Sequence, residues 1–292
     1  MTTRMLDLEP LDATFGAVVR GVTLRTLDDA TWRMLHEAWL EHALLIFGGQ
    51  FLTPEEQNDV ARFFGELEFP AAPITNIGRD GFVHTQSDDD IVKSIRGNEG
   101  WHHDSTYMPV QAKGAVFSAE IIPSAGAATG FADMRAAYDS LDDAKRQQIT
   151  GMSAYHSIEY SQGRAGYLPS KRAEDGSYAQ YGYSTDAAKL RPLVKVHPAT
   201  GRPNLLIGRH AHAVVGLEAD ASELLLDELN EWACDSTSRR VHHHEWTVGD
   251  TVVWDNRRLM HRATPFDLCE PRRMWHTRIA GERPSELAAN YA

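Results

Sequence analysis

The sequence predicts a mainly β chain, an antiparallel β core with flanking helices. Three observations predict it. Short strand-like segments crowd the chain from residue 114 onward, the first helical patterns fall before residue 68, and no linker, repeat or low-complexity tract divides the 292 residues. All-β barrels often reach this length undivided, so residues 1–292 read as one domain.

Taken in order, Leu27-Asp28-Asp29-Ala30-Thr31 leads into TWRMLHEAWLEH, whose apolar residues recur at helical spacing, and the strand-like run ALLIF follows. Thr53, Pro54 and Glu56 announce a second helix. A hydroxyl at the N-cap, proline at the first helical position and glutamate three residues on form a capping box. That helix is expected to run through NDVARFFGEL. The segments GAVFSAEII, PLVKVH, NLLIG, VHHHEW, DTVVWD and RMWHTRIAG are expected strands, interrupted by the helix ASELLLDELNEWAC. Residues 155–185 are polar, rich in Gly and Tyr, and follow neither period. They read as a long loop, either a lid or disordered decoration.

Hydrophobic residues at 42% and charged residues at 24% suit a water-soluble globule. A formal charge of -12 disfavours nucleic acid and anionic membrane surfaces as partners, while leaving room for a local basic pocket. Cys234 and Cys269 show no CxxC spacing, so neither a disulfide framework nor a cysteine-zinc site is indicated. The start MTTRMLDLEP has no apolar signal region, and no uninterrupted apolar run approaches a membrane span; a cytoplasmic protein is expected.

The chemistry gathers around Gly100-Trp101-His102-His103-Asp104-Ser105-Thr106. In an extended chain alternate side chains share a face, which pairs His102 with Asp104 and turns His103 away. A His-x-Asp pair alone is common by chance. A second histidine would complete the two-histidine, one-carboxylate set of non-haem Fe(II) oxygenases, which leaves three metal positions open. His261, just after the apolar run DTVVWD, is the candidate. His242-His243-His244, His210, His212 and His276 compete. The triplet reads more readily as a solvated strand face, and His210 and His212 as pocket lining or backbone partners in equal measure. Near the end, Arg272, Met274, His276 and Arg278 alternate along PRRMWHTRIAG. If that face looks inward, two guanidiniums enter the core and require an anion, which a dicarboxylate would supply. Otherwise this is an edge strand with solvated arginines.

Together WHHDSTY, SAGAATGFADMRAAYDSL, VVWDNRRLMHRA and PRRMWHTRIAG resemble the taurine/2,4-dichlorophenoxyacetate dioxygenase family of Fe(II)/2-oxoglutarate enzymes. The similarity runs from GAVVRGVTL and ALLIFGGQ to the last strand. Within the family, DSTYMPV, GAVFSAE, RPLVKVHPATGRPNLLIGRHAHA and RRMWHTRIAG are most similar to the (S)-phenoxypropionate (dichlorprop/mecoprop) or aryloxyalkanoate dioxygenases. The resemblance implies a double-stranded β-helix (jelly-roll) core. It implies Fe(II) on His102, Asp104 and His261, with 2-oxoglutarate and O2 as co-substrates. It assigns the distal carboxylate of 2-oxoglutarate to Arg272, eleven residues after His261, and to Thr129 in Gly126-Ala127-Ala128-Thr129, where the family usually carries Gly-Gly-Asp-Thr. It also implies a homo-oligomer.

Two departures bear on the substrate. Fifteen residues past His261, where the taurine enzymes place a sulfonate-binding arginine, stands His276, and Arg278 follows as the candidate anchor for a substrate carboxylate. His210 matches a pocket histidine of the phenoxyacetate enzymes, but their second histidine position is Ala213 here. The implied reaction hydroxylates the carbon between the ether oxygen and the carboxylate of a small aryloxy carboxylic acid. A phenol and a 2-oxo acid result, with succinate and CO2. The alternatives are a related dioxygenase for a sulfonate, alkyl sulfate or natural carboxylic acid, and a non-catalytic jelly-roll binding protein. A zinc hydrolase fits poorly, because Arg272 would have no purpose.

Overall fold

A computed structural model describes residues 6–183 and 187–291. Residues 1–5 of the leading segment therefore lie outside the described residues. Seven strands form the larger sheet, in the order Asp7–Pro10, Ala17–Arg20, Leu44–Phe47, Thr251–Asp255, Gly114–Ile121, Arg273–Ile279, Leu67–Thr75. Every pairing is antiparallel except that of Ala17–Arg20 with Leu44–Phe47. A second sheet places Thr129–Asp133 between Val241–His244 and Leu259–Ala263. Phe117, Val252, Trp254 and Met274 from the larger sheet share one buried cluster with Phe131 and Leu259 from the smaller, so the two sheets face each other across a common core. This is the jelly-roll arrangement.

The Thr251–Asp255 strand shows why the fold closes. All five residues are buried. Val252 and Trp254 point between the sheets, whereas Val253 points out, under helices Asp29–His42 and Pro54–Phe64. A strand covered on both faces reads as a continuous apolar run, which is how DTVVWD appears in the sequence. The helix after Thr53 has the expected capping box. It stops at Phe64, short of the expected end, because Gly65 caps it at φ 153° and a Cβ there would fall 2.7 Å from Lys113 Cε. Helix Ala219–Ala233 packs with helix Met134–Asp139 on a third cluster that includes Leu193, Leu205 and Met260.

The 155–185 stretch is more regular than its composition suggests. It opens on the end of strand Ser153–His156 and continues into helix Ile158–Ala165, which Ser157 caps at its start and left-handed Gly166 (φ 78°) at its end. Residues 184 and 185 of that stretch lie outside the described residues. No helix among the described residues is long and apolar enough to cross a membrane.

Candidate active site

His102 and His261 are tied together by their own backbones: His102 N–H donates to the His261 carbonyl at 3.0 Å, and His261 N–H to the His102 carbonyl at 2.8 Å. This two-residue bridge fixes both rings on neighbouring segments. The Gly100 carbonyl can only accept, so His102 Nδ1, 2.7 Å away, carries the proton and Nε2 keeps its lone pair. Asp104 follows at the start of a turn, on the same side as His102, while His103 points away to donate from Nδ1 to the Asn256 carbonyl at 2.7 Å. The Asp104 oxygens have different surroundings. Oδ1 accepts from Arg278 Nη2 at 2.6 Å; Oδ2 is buried without a hydrogen-bond partner, 3.4 Å from His276 Nε2 and 3.8 Å from His261 Nε2. Among the described residues, His102, Asp104 and His261 are the only cluster whose donor atoms could surround one metal ion, all within 4.8 Å of one another.

The protonation states suit a cation. Burial holds His261 down at about 4, against the attraction of Asp104, and holds His102 well below its ordinary value, helped by His261 and Arg209. Burial alone would raise Asp104, but the charge of Arg278 and the neighbouring His261 and His276 hold it well below the usual carboxylate range. Two neutral imidazoles beside an ionised carboxylate with an orphaned oxygen form the donor set of a divalent metal.

Arg272 and Thr129 face this cluster across a cavity of about 70 Å³ that all five residues line. Arg272 is only 3% exposed. Its Nε has no partner, its nearest charge-stabilising neighbour is the Phe266 ring at 5.6 Å, and no carboxylate among the described residues pairs with it. Burial pushes it down to about 10, so it remains a cation at neutral pH. Thr129 Oγ1 accepts from Trp246 Nε1 at 3.0 Å, which leaves its own proton free to donate toward the cavity.

A wider cavity of about 230 Å³ adjoins, reached by His102, Asp104, His276 and Arg278. Phe69, Ile74, Ile158, Tyr107 and Tyr183 supply apolar and aromatic walls. His276 is stacked on Trp254 (5.7 Å, 13°) and flanked edge-on by Phe69 and Phe117. Arg278 commits Nη2 to Asp104 and Nη1 to Ser105 Oγ at 3.0 Å, beneath the Phe69 ring. His210 stays neutral through burial, bonds Ser161 Oγ through Nδ1 at 2.8 Å, and sets its ring edge-on to Tyr107 and His102. The remaining histidine candidates lie elsewhere. His212 stacks on Tyr160, His243 meets Trp101, and His244 sits beside Asp250 and Trp246.

Sequence reasoning passed over Arg209. Its Nη1 donates to Gln162 Oε1 at 3.1 Å, its Nε is sealed off without a partner, and burial pushes it down to about 10. Four guanidiniums, Arg209, Arg262, Arg272 and Arg278, thus line the joined cavities against the carboxylates of Asp104 and Asp90, and Asp90 is already bound to Ser170, Gln180 and Lys93. The surplus is cationic, in a protein whose net charge is -12. The only hint in the sequence was the neighbour His210.

Comparison with known proteins finds matches over nearly the whole chain. The family model "Taurine catabolism dioxygenase TauD, TfdA family" matches residues 7–279. The (S)-phenoxypropionate/alpha-ketoglutarate-dioxygenase of Sphingobium herbicidovorans is 56% identical over 283 residues, 97% of each chain, and that of Delftia acidovorans is 53% identical over 97% of this chain and 98% of its own. The crystal structure of AAD-2 in complex with Mn(II) and N-oxalylglycine superposes at a TM-score of 0.86, with 32% identity, over 97% of this chain and 99% of that one.

Proposed function

This chain belongs to the TauD, TfdA family of 2-oxoglutarate-dependent dioxygenases, and from that premise we propose that it hydroxylates aryloxyalkanoates at the carbon next to the ether oxygen. One oxygen atom of O2 enters the substrate and the other enters succinate as 2-oxoglutarate loses CO2. The hydroxylated carbon then bears both an OH and an aryloxy group, and that hemiketal collapses to a phenol and a 2-oxo acid. A propionate side chain gives pyruvate.

His102, Asp104 and His261 would hold Fe(II), since Asp104 Oδ2 is buried without a hydrogen-bond partner, His102 Nε2 keeps its lone pair, and the donor atoms of the three lie within 4.8 Å of one another. Bound Fe(II) supplies the activation of O2, coupled to the oxidation of 2-oxoglutarate. Arg278 occupies Asp104 Oδ1, so Oδ2 is the carboxylate oxygen that would hold the metal. Arg272 and Thr129 take the distal carboxylate of 2-oxoglutarate; the buried, anion-free guanidinium of Arg272 beside the triad is the observation that carries this reading. In the wider cavity Arg209, with Arg278 and His276 nearby, receives the substrate carboxylate, while His210, Tyr107 and the aliphatic wall orient the aryl group. Only the hydrogen turned toward the metal reacts, so this anchor selects the enantiomer.

The segment after Ser157 serves as a lid. Ile158, Gln162, Tyr167, Pro169, Gln180, Tyr181 and Tyr183 all reach the wider cavity from one side. The whole chain acts as one catalytic domain, in the cytoplasm, where its two free cysteines stay reduced. It works as a homo-oligomer, as the family resemblance implies, and light scattering on the purified protein tests that.

The decisive assay measures phenol release from each enantiomer of dichlorprop, with Fe(II), ascorbate and 2-oxoglutarate, beside His102→Ala. Phenol from one enantiomer, absent in the variant, is expected. Succinate formed only with a sulfonate, alkyl sulfate or unrelated acid would discard the aryloxy substrate and keep the dioxygenase. Neither product across a broad panel, despite bound metal, would favour a binding protein.

A further inference from the structure

Asn256 lies in the three-residue turn that carries the chain from strand Thr251–Asp255 in the larger sheet to strand Leu259–Ala263 in the smaller, the strand that bears His261. It is completely buried. Its side chain binds the other ligand segment at three points: Oδ1 accepts the Asp104 N–H at 2.8 Å, and Nδ2 donates to the carbonyls of Asp104 at 3.0 Å and Ala112 at 2.7 Å. Its main-chain carbonyl accepts from His103 Nδ1, and its N–H donates to the Lys113 carbonyl at 3.0 Å. Both backbone groups of Asp104 are therefore served by one side chain. The turn beneath is itself rigid. The Asp255 carboxylate accepts Arg257 Nε at 2.8 Å and Nη2 at 2.7 Å, and His197 Nε2 at 2.9 Å.

This matters because the strand-like pairing of the ligand segment ends at His102. Asp104 starts a turn, and the next residue, Ser105, takes a positive φ of 57°. Nothing in a regular ladder determines where the Asp104 carboxylate sits. We infer that Asn256 is a positioning residue for the metal site, holding the Asp104 backbone so that Oδ2 lies in register with His261 on the strand that follows the Asn256 turn. His103, the histidine that turns away, is then part of the clamp. The inference rests on the reading that the triad binds a divalent metal.

The test is Mn(II) binding to the metal-free protein, read from the electron paramagnetic resonance of free Mn(II), together with thermal unfolding. Asn256→Ala removes the clamp. Asn256→Asp keeps its shape and its acceptor but loses both donors. Leu35→Ala, a truncation on the buried face of helix Asp29–His42, serves as a destabilised control. Groups that support metal ligands typically alter metal affinity 10–100-fold, so the Mn(II) dissociation constant should rise by about that factor in both Asn256 variants and stay unchanged in Leu35→Ala at a comparable loss of Tm. Wild-type affinity in a folded Asn256 variant, an equal loss in Leu35→Ala, or failure of both Asn256 variants to fold would each overturn the positioning role. If the wild type itself bound Mn(II) no better than His102→Ala, the metal reading would fall and take this inference with it; that result differs from one in which only the clamp is dispensable.

Discussion

Arg272 has a full positive charge, 3% exposure and no anion, a costly state for the ligand-free protein. Its replacement by an apolar residue of similar volume should relieve that cost. Arg272→Leu is expected to leave the Tm of the metal-loaded protein equal or higher, while abolishing the rise in Tm that 2-oxoglutarate gives the wild type. In the wild type that rise corresponds to about 2.7 kcal/mol at a hundredfold excess over Kd. Differential scanning fluorimetry with and without 2-oxoglutarate checks both halves; an undiminished ligand shift in the variant would remove Arg272 from the binding of the co-substrate. At this scale much was legible. Alternation separated His102 and Asp104 from His103, and it put Arg272, His276 and Arg278 on one inward face. Arg209 and Asn256 were not legible. Their roles depend on contacts with residues distant in sequence, Gln162 for one and Asp104 for the other, and no period encodes such pairs.

Among the elements, those with a strong local signal were read correctly: the capped helix Pro54–Phe64, the apolar strand Thr251–Asp255 and the alternating strand Arg273–Ile279. Strand Leu67–Thr75 escaped because Pro70 and Pro73 break the expected pattern. It is the last strand of its sheet, bonded on one side only, where a missing N–H is harmless. The helix Ile158–Ala165 escaped because its polar, glycine-containing sequence has weak periodicity; its caps define it instead. The segment beyond it meets the cavity through a close contact at Gly182, where φ is +84° and a Cβ would fall 2.2 Å from Tyr107 Cε2. Gly182→Ala should displace this segment from Tyr107. Substrate KM is expected to rise severalfold while the KM for 2-oxoglutarate stays within twofold, since the Arg272 cavity is not touched. Equal rises in both constants would deny the segment a separate role over the substrate.

For the molecule as a whole, the interior histidines act together. His102, His103, His156, His210 and His261 are all buried and neutral, pushed down by burial, His103 and His261 to about 4. In the unfolded chain they take up protons near pH 6.5, so the unfolded state binds more protons over the window from 6.5 to 4. Stability must therefore fall as pH drops through that window, by roughly 1.4 kcal/mol per pH unit for each histidine fully affected. Asp104 and Asp255, held low by Arg278 and Arg257 against the effect of burial, add their own loss once pH falls into the range where the unfolded chain's carboxylates protonate. The urea midpoint of the metal-free protein should decline steeply between pH 6.5 and 5; a flat midpoint would contradict the burial of these rings. Saturating metal should move the decline to lower pH, because the metal binds the same neutral imidazoles.

The separation between the triad and Arg272 also bears on turnover. A propionate side chain yields pyruvate, which shares the 2-oxo acid head of the co-substrate but has no second carboxylate. In the cavity that the triad and Arg272 line together, such a molecule can satisfy one end only. With Arg272 on the distal carboxylate, as proposed above, the cavity would gauge length, and pyruvate is expected to compete only weakly with 2-oxoglutarate in a steady-state inhibition assay.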